Sequence, residues 1–307
     1  MNLKVSKLNS NCIFGKKKKN EPKEKGSIRA ATVSQIAPFA SLPAGFLAMK
    51  GIQNSSKGLT GEQIKLLNES ADKMIEVTGL AAKGVKIENV TSAGLNLSGL
   101  PDSVYDLINS YSAIANGKNA AFVEKDLKNR LTGQVLHNKN TIIANRDKLP
   151  TALFHEIGHA FNANSSKFWG AMQKMRKPSM ALAAGLALFS AFTKKAEAKD
   201  GQELTKGQKA KNFVRNNSGI LATVSMLPVV AEEVMASVRG CKWAKQNLPK
   251  ELAKRVKAGN IWGAVSYVSA SLALGLAAFL ATKIKDSVME KQKQKFEQQQ
   301  NLIAVQK

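Results

Sequence analysis

Short periodic segments fill the first half of the chain, and three long uncharged blocks dominate the second. Ile64, Leu67, Ala71, Met74, Ile75 and Val77 fall mostly at helical spacing, and Thr60 with Gln63 makes a capping-box start. This pattern predicts a helix from Thr60 to about Gly79. Val85, Ile87 and Val90 predict a short strand. Pro101-Asp102-Ser103 opens a second helix with the apolar face Val104, Leu107, Ile108 and Tyr111, closing at Gly117. Short strands follow at 119–124, 134–137 and 140–145, separated by polar turns.

The uncharged blocks are Pro178–Thr193, Ser218–Ala231 and Ile261–Thr282, of 16, 14 and 22 residues. A membrane-spanning helix needs about 20 apolar residues. Only the third block meets that length, with Lys254, Arg255 and Lys257 before it and Lys283 and Lys285 after it. The first two are short enough to be a membrane hairpin, re-entrant segments or buried core helices. The loop between them, 194–217, is rich in Lys and Arg and is expected to stay cytoplasmic. An earlier apolar stretch, 30–49, carries Pro38 and Pro43, which argues against a clean spanning helix and for a membrane-surface or packed segment. Residues 284–307 read as a polar, frayed helix.

Charge changes this picture. Lys and Arg outnumber Asp and Glu by 46 to 22, a formal net charge of +24. Such an excess attracts polyanions. The basic residues are scattered and rarely interleaved with aromatics, and no nucleic-acid motif is visible. They crowd the ends of the apolar blocks instead, which favours anionic lipid headgroups. Residues 1–29, with Lys16-Lys17-Lys18-Lys19, read as a disordered basic arm without the apolar core of a signal peptide. Cys12 and Cys241 lie in unrelated contexts and predict no disulfide framework, which fits a reducing compartment.

The chemistry concentrates at 150–163. Pro150 suits a first helical turn, and His155-Glu156-Ile157-Gly158-His159 places two imidazoles one turn apart on the same face. Such a pair can hold Zn2+, with Glu156 between them acting on water. Ala152, Leu153, Phe154, Ile157, Ala160 and Phe161 predict a buried helix. The chain has three histidines, and two are here; His137, on a strand, reads as a surface or core-edge residue.

A catalytic zinc takes three protein ligands and keeps one open position. No histidine follows His159, so the third ligand is expected from a later carboxylate, and Glu232 and Glu233 close an apolar block. Adjacent buried acids are costly unless a cation compensates them.

HEIGHA, a basic loop between apolar segments, then Glu233-Val-Met-Ala-Ser237 resembles the membrane-bound zinc metallopeptidases of the gluzincin kind. Two branches fit. Asn119-Ala-Ala-Phe122 and the Thr141-Ile-Ile strand are similar to the HtpX and CAAX-prenyl-protease group. Leu227-Pro228-Val229 and Ser237 in place of Asp are similar to the YugP-type neutral zinc metallopeptidases. The resemblance spans roughly residues 60–245. It implies His155, His159 and Glu233 as metal ligands, Glu156 as general base, and Ser237 as the partner that orients a ligand imidazole, with Glu232 a substitute ligand. It also implies an active site on the cytoplasmic side.

The expected fold is α+β: a mainly helical zincin-type domain with a small sheet and one to three membrane-associated apolar helices. The expected layout is a basic arm (1–29), an apolar linking segment (30–58), a metallopeptidase domain (59–258) with apolar insert helices 178–193 and 218–231, a transmembrane helix (259–283) and a polar tail (284–307). The expected activity is zinc-dependent endopeptidase chemistry on protein or peptide substrates at a membrane surface. Asn119, Ala120 and Ala121 would pair with an extended substrate if their strand lies at a sheet edge. Two rivals from other classes are a non-catalytic zincin-fold membrane scaffold and a basic membrane-surface interaction protein in which HExxH is accidental.

Overall fold

A computed structural model describes residues 29–30, 32, 42–91, 112–128, 135–198 and 202–305. The basic arm before residue 29, Cys12 and most of the helix expected from Pro101 lie outside these residues.

Helix α1 (Leu42–Ser56) leads to α2 (Gly61–Val77), whose start is the capping box read from the sequence: the Gln63 amide donates to Thr60 Oγ1 at 3.2 Å and the Thr60 amide to Gln63 Oε1 at 3.0 Å. The strands are β1 (Lys86–Asn89), β2 (Ala121–Val123), β3 (Leu127–Lys128), β4 (Val135–His137) and β5 (Thr141–Ala144). β5 is buried along its whole length and centres a three-stranded sheet, with β1 parallel on one side and β2 antiparallel on the other. β3 and β4 form a separate antiparallel pair. β3 is too short to leave a periodic signal. His137 on β4 bonds through Nδ1 to Glu88, the core-edge role expected of it.

A 3-10 turn at Pro150–Ala152 runs into α3 (Leu153–Ser165), followed by α4 (Lys167–Lys174) and α5 (Arg176–Phe192). The loop after α5 holds a further helix, α6 (Lys206–Asn216), started by a second capping box at Thr205 and Gln208. Next come α7 (Ser218–Ser225), α8 (Leu227–Asn247) and α9 (Lys250–Val305). The apolar block 218–231 is interrupted for one residue at Met226, where the backbone stays near helical: Pro228 has no amide hydrogen and its ring crowds the preceding turn, so the hydrogen-bond ladder is broken between α7 and α8. In contrast, α9 passes unbroken through the expected boundary at 258 and through the polar tail, 56 residues in all.

The helices pack around two cores of different composition. The first joins Leu67, Ala71 and Met74 of α2 to Ile142 of β5, Leu153, Phe154 and Ile157 of α3, and Leu252 and Val256 of α9. The second is built mainly of alanine: Ala183 and Ala187 of α5, Ala222 of α7 and Ala278 of α9, closed by Met226 and Val229. Here the large apolar side chains face outward, among them Leu182, Phe192, Ile220, Leu272 and Phe279. Helices α7 and α8 run antiparallel to α9, matched at Ser237 with Asn260, Ser218 with Thr282, and Arg215 of α6 with Asp286. Two stretches, Ser218–Asn247 and Lys250–Gln299, are long and apolar enough to cross a membrane.

Candidate metal centre

Helix α3 lies against α8 closely enough that glycine is required on both. A Cβ on Gly158 would come within 2.7 Å of the Ala236 carbonyl carbon, and one on Gly240 within 2.6 Å of the Phe154 carbonyl oxygen. At this crossing the faces of His155 and His159 meet the middle of α8. Glu232 and Glu233 are fully buried there.

Three atoms converge. His155 Nε2 and His159 Nε2 stand 3.0 Å apart, and Glu233 Oε2 is 3.2 Å from the first and 3.3 Å from the second. A tetrahedral zinc with bonds of about 2.0 Å has donor–donor edges of about 3.3 Å, so this triangle has the size of one face of such a site. Glu156 also brings a carboxylate oxygen into a group with the two imidazoles, all within 4.8 Å of one another.

Hydrogen bonding decides which ring nitrogens are free. Ser237 Oγ donates its single proton to the Asn260 carbonyl at 3.1 Å, so it must accept from His155 Nδ1, also at 3.1 Å. Glu232 Oε1 accepts from His159 Nδ1 at 2.8 Å and from the Asn162 amide at 2.8 Å. Both neutral rings are thereby held with Nδ1 protonated and Nε2 bearing its lone pair. Two lone pairs and a carboxylate oxygen then point at one spot, an arrangement that a metal ion or a proton would stabilise. Ser237 lies where the resemblance placed it, bonded to Nδ1 of His155. Glu232 bonds Nδ1 of His159, away from the Nε2 convergence point, and with His159 and Glu233 it forms a second group of donor atoms within 4.8 Å of one another.

The charge count agrees. Arg176, at the start of α5, reaches Glu232 Oε2 at 3.0 Å and also bonds Glu233. Three carboxylates, Glu156, Glu232 and Glu233, outnumber the two guanidinium groups that act on them, Arg176 and Arg239, and the negative excess favours a cation. The residues therefore fit a metal ion of the zinc type on donor chemistry, spacing and charge.

Without metal, a proton takes the same place. Burial opposes charge on His159, but the neighbouring Glu233 carboxylate and the hydrogen bond to Glu232 outweigh it, and its pKa is pushed from 6.5 up to about 10. A pKa raised on folding contributes stability that is full below the unfolded value and is lost as pH rises through the folded one. The metal-free protein should therefore lose thermal stability progressively from pH 6.5 to about 10. Metal binding must displace that proton, so zinc titration at neutral pH should release about one proton per chain and tighten as pH rises. Calorimetry in buffers of differing ionisation enthalpy measures this; an absence of proton release would remove His159 from the donor set.

The two imidazoles and Glu156 open onto a cleft of about 580 Å³. Asn119, Ala120, Ala121 and Phe122 line one part of it, and β2 is the edge strand of its sheet among the described residues. Ala48, Met49 and Ile52 of α1 line another, and α9 supplies Asn260, Gly263 and Tyr267. Gln173 also lines the cleft, with its amide oxygen buried and unpartnered.

Sequence reasoning reached His155, Glu156, His159, Glu233 and Ser237, and the structure gathers all five. It missed Arg176, Tyr267 and Gln173. Arg176 is one of 46 basic residues and carries no local signature. Asn162 did leave a signal, a polar residue three positions after His159 on an otherwise apolar face. No family model, curated protein or solved structure matches the chain, and the site is read from its own donors.

Proposed function

We propose that this protein is a zinc-dependent endopeptidase working at a membrane surface. The observation that carries the reading is the meeting of two imidazole lone pairs and one carboxylate oxygen within 3.3 Å, each ring fixed from behind by its own hydrogen-bond partner.

A bound zinc ion would lower the pKa of water and polarise a scissile carbonyl. The chain's own residues do the rest. Glu156, its carboxylate facing the cleft, takes a proton from the attacking water and returns it to the leaving amine. Tyr267, whose phenol donates to the Glu233 carboxylate, holds that ligand from the α9 side of the cleft. The edge of β2, unpaired among the described residues, aligns an extended substrate by strand addition, with Asn119, Ala120 and Ala121 beside the cleft. Gln173, with an unpartnered buried oxygen, accepts from a substrate amide.

Membrane association is supported by the inverted packing of the second core. Alanines face inward and large apolar side chains outward, as expected where lipid is the solvent. Only 33% of the most apolar window of each candidate span is buried, less than a core helix of a soluble domain would show.

Zinc stoichiometry on the purified chain tests the proposal. About one zinc per chain is expected for the wild type and none for His159→Ala or Glu233→Ala. Full zinc retention by Glu233→Ala would overturn the ligand set, and loss of metal together with retained proteolysis would overturn the mechanism.

A further inference from the structure

A second groove, of about 950 Å³, lies between the last turns of α8 and the first turns of α9. Its floor includes Val234, Val238 and Ile261, all large, apolar and exposed. Its rim is cationic: Lys242 and Lys245 come from α8, and Lys250, Lys254 and Lys257 from α9. None of these five lysines makes an ion pair among the described residues, and Glu251 pairs instead with Arg255.

Five like charges gathered on one rim raise the local potential and favour an anion. A small soluble anion would satisfy the lysines and leave the valines and isoleucine in water. An acidic peptide would satisfy the rim without covering the floor. An amphiphile with an anionic head and an acyl tail matches both, and in the right order. The lysines lie toward the α8–α9 turn, and the apolar floor continues into the exposed stripe Val265, Val268, Leu272, Leu276 and Phe279. From Ile261 to Phe279 an α-helix rises about 27 Å, close to the hydrocarbon thickness of about 30 Å. The lysine rim then falls at headgroup level, where lysine stems cover apolar surface while their ammonium groups stay in the polar layer.

We propose that this groove binds a single anionic phospholipid, its phosphate held among Lys245, Lys254 and Lys257 and one acyl chain laid along Val234, Val238 and Ile261. The proposal rests on the membrane half of the reading above and not on the metal.

Two measurements on the full chain test it separately from that reading. Flotation with phosphatidylcholine vesicles examines membrane association alone; a chain that does not float overturns both. In detergent micelles, native mass spectrometry compares retention of phosphatidylglycerol with phosphatidylcholine of the same chain length. The expected result is one phosphatidylglycerol retained, preferred by at least about tenfold. With each lysine near a headgroup contributing roughly a fivefold effect, Lys245→Gln/Lys254→Gln/Lys257→Gln should weaken binding roughly a hundredfold. Lys283→Gln/Lys291→Gln/Lys293→Gln, the same charge change at the far end of α9, should leave binding intact. Val238→Trp fills the floor with every lysine in place and should also abolish retention. Equal retention of both lipids, equal loss in the two triple variants, or full retention by Val238→Trp would each overturn the proposal, the last because it leaves phosphate attraction without a tail site.

Discussion

Glu156→Gln is expected to bind zinc as the wild type does and to hydrolyse an unfolded polypeptide about 10²–10⁴-fold more slowly, the usual contribution of a positioned general base. The amide is nearly isosteric with the carboxylate, so the cleft keeps its shape, but it cannot accept the proton that hydrolysis must move. The donor triangle does not include Glu156: its edges are the His155–His159, His155–Glu233 and His159–Glu233 distances. The imidazoles are held from behind by Ser237 and Glu232, which the substitution leaves untouched. Metal content and activity should therefore separate. Elemental analysis after gel filtration, beside a cleavage assay on the same sample, reads both. Cleavage at the wild-type rate would remove Glu156 from the mechanism, whereas loss of metal would move it into the ligand set.

The second large effect should come from Gly158→Val, a residue with no functional group. Its new Cβ would press into the backbone of Ala236 on α8, 2.7 Å from the carbonyl carbon. Backbone cannot turn aside as a side chain can, so α3 and α8 must separate, by about 1 Å if the new contact is to relax to an ordinary distance. His155 and His159 ride on α3 and Glu233 on α8, so that shift acts directly on the triangle. A misplacement of this size costs a geometrically demanding site roughly a hundredfold. Zinc affinity should fall by about that factor, and overpacking should lower stability by roughly 1–3 kcal/mol. Gly185→Ala on α5, where an added Cβ meets nothing within 4 Å, is the control: it should leave zinc affinity unchanged and raise stability by up to about 1 kcal/mol, the gain of alanine over glycine inside a helix. Circular dichroism separates a loosened crossing from a chain that fails to fold. Wild-type zinc affinity in a folded Gly158→Val protein would mean that the two helices do not meet as described.

Much of the secondary structure was legible because it depends on neighbours a few residues apart. The Thr60–Gln63 box, the strand at 140–145 and the one-turn spacing of His155 and His159 are all local, and each has the form that its pattern predicts. Where the reading fell short, the cause was also local and small. β3 spans two residues, too few for alternation to register. The break at Met226 depends on the single ring of Pro228 inside an apolar run. The expected boundary at 258 followed a change in composition, which a helix of 56 residues crosses freely because helical propensity is shared by its lysine-rich and alanine-rich parts.

The candidate site divides along the same line. By itself the sequence determined that two imidazoles share a helix face with a carboxylate between them in the chain, that two glutamates end an apolar block, and that basic residues crowd the ends of such blocks. Which glutamate meets the imidazoles was decided only in three dimensions, since His155 and Glu233 are 78 positions apart. The α3–α8 crossing turns Glu233 toward both Nε2 atoms and Glu232 toward Nδ1 of His159. Tertiary structure alone likewise brought Arg176 to the two acids and Tyr267 from α9 into the cleft. Periodicity records which face of a helix is apolar; only close packing, here backbone against backbone at Gly158 and Gly240, decides what that face touches.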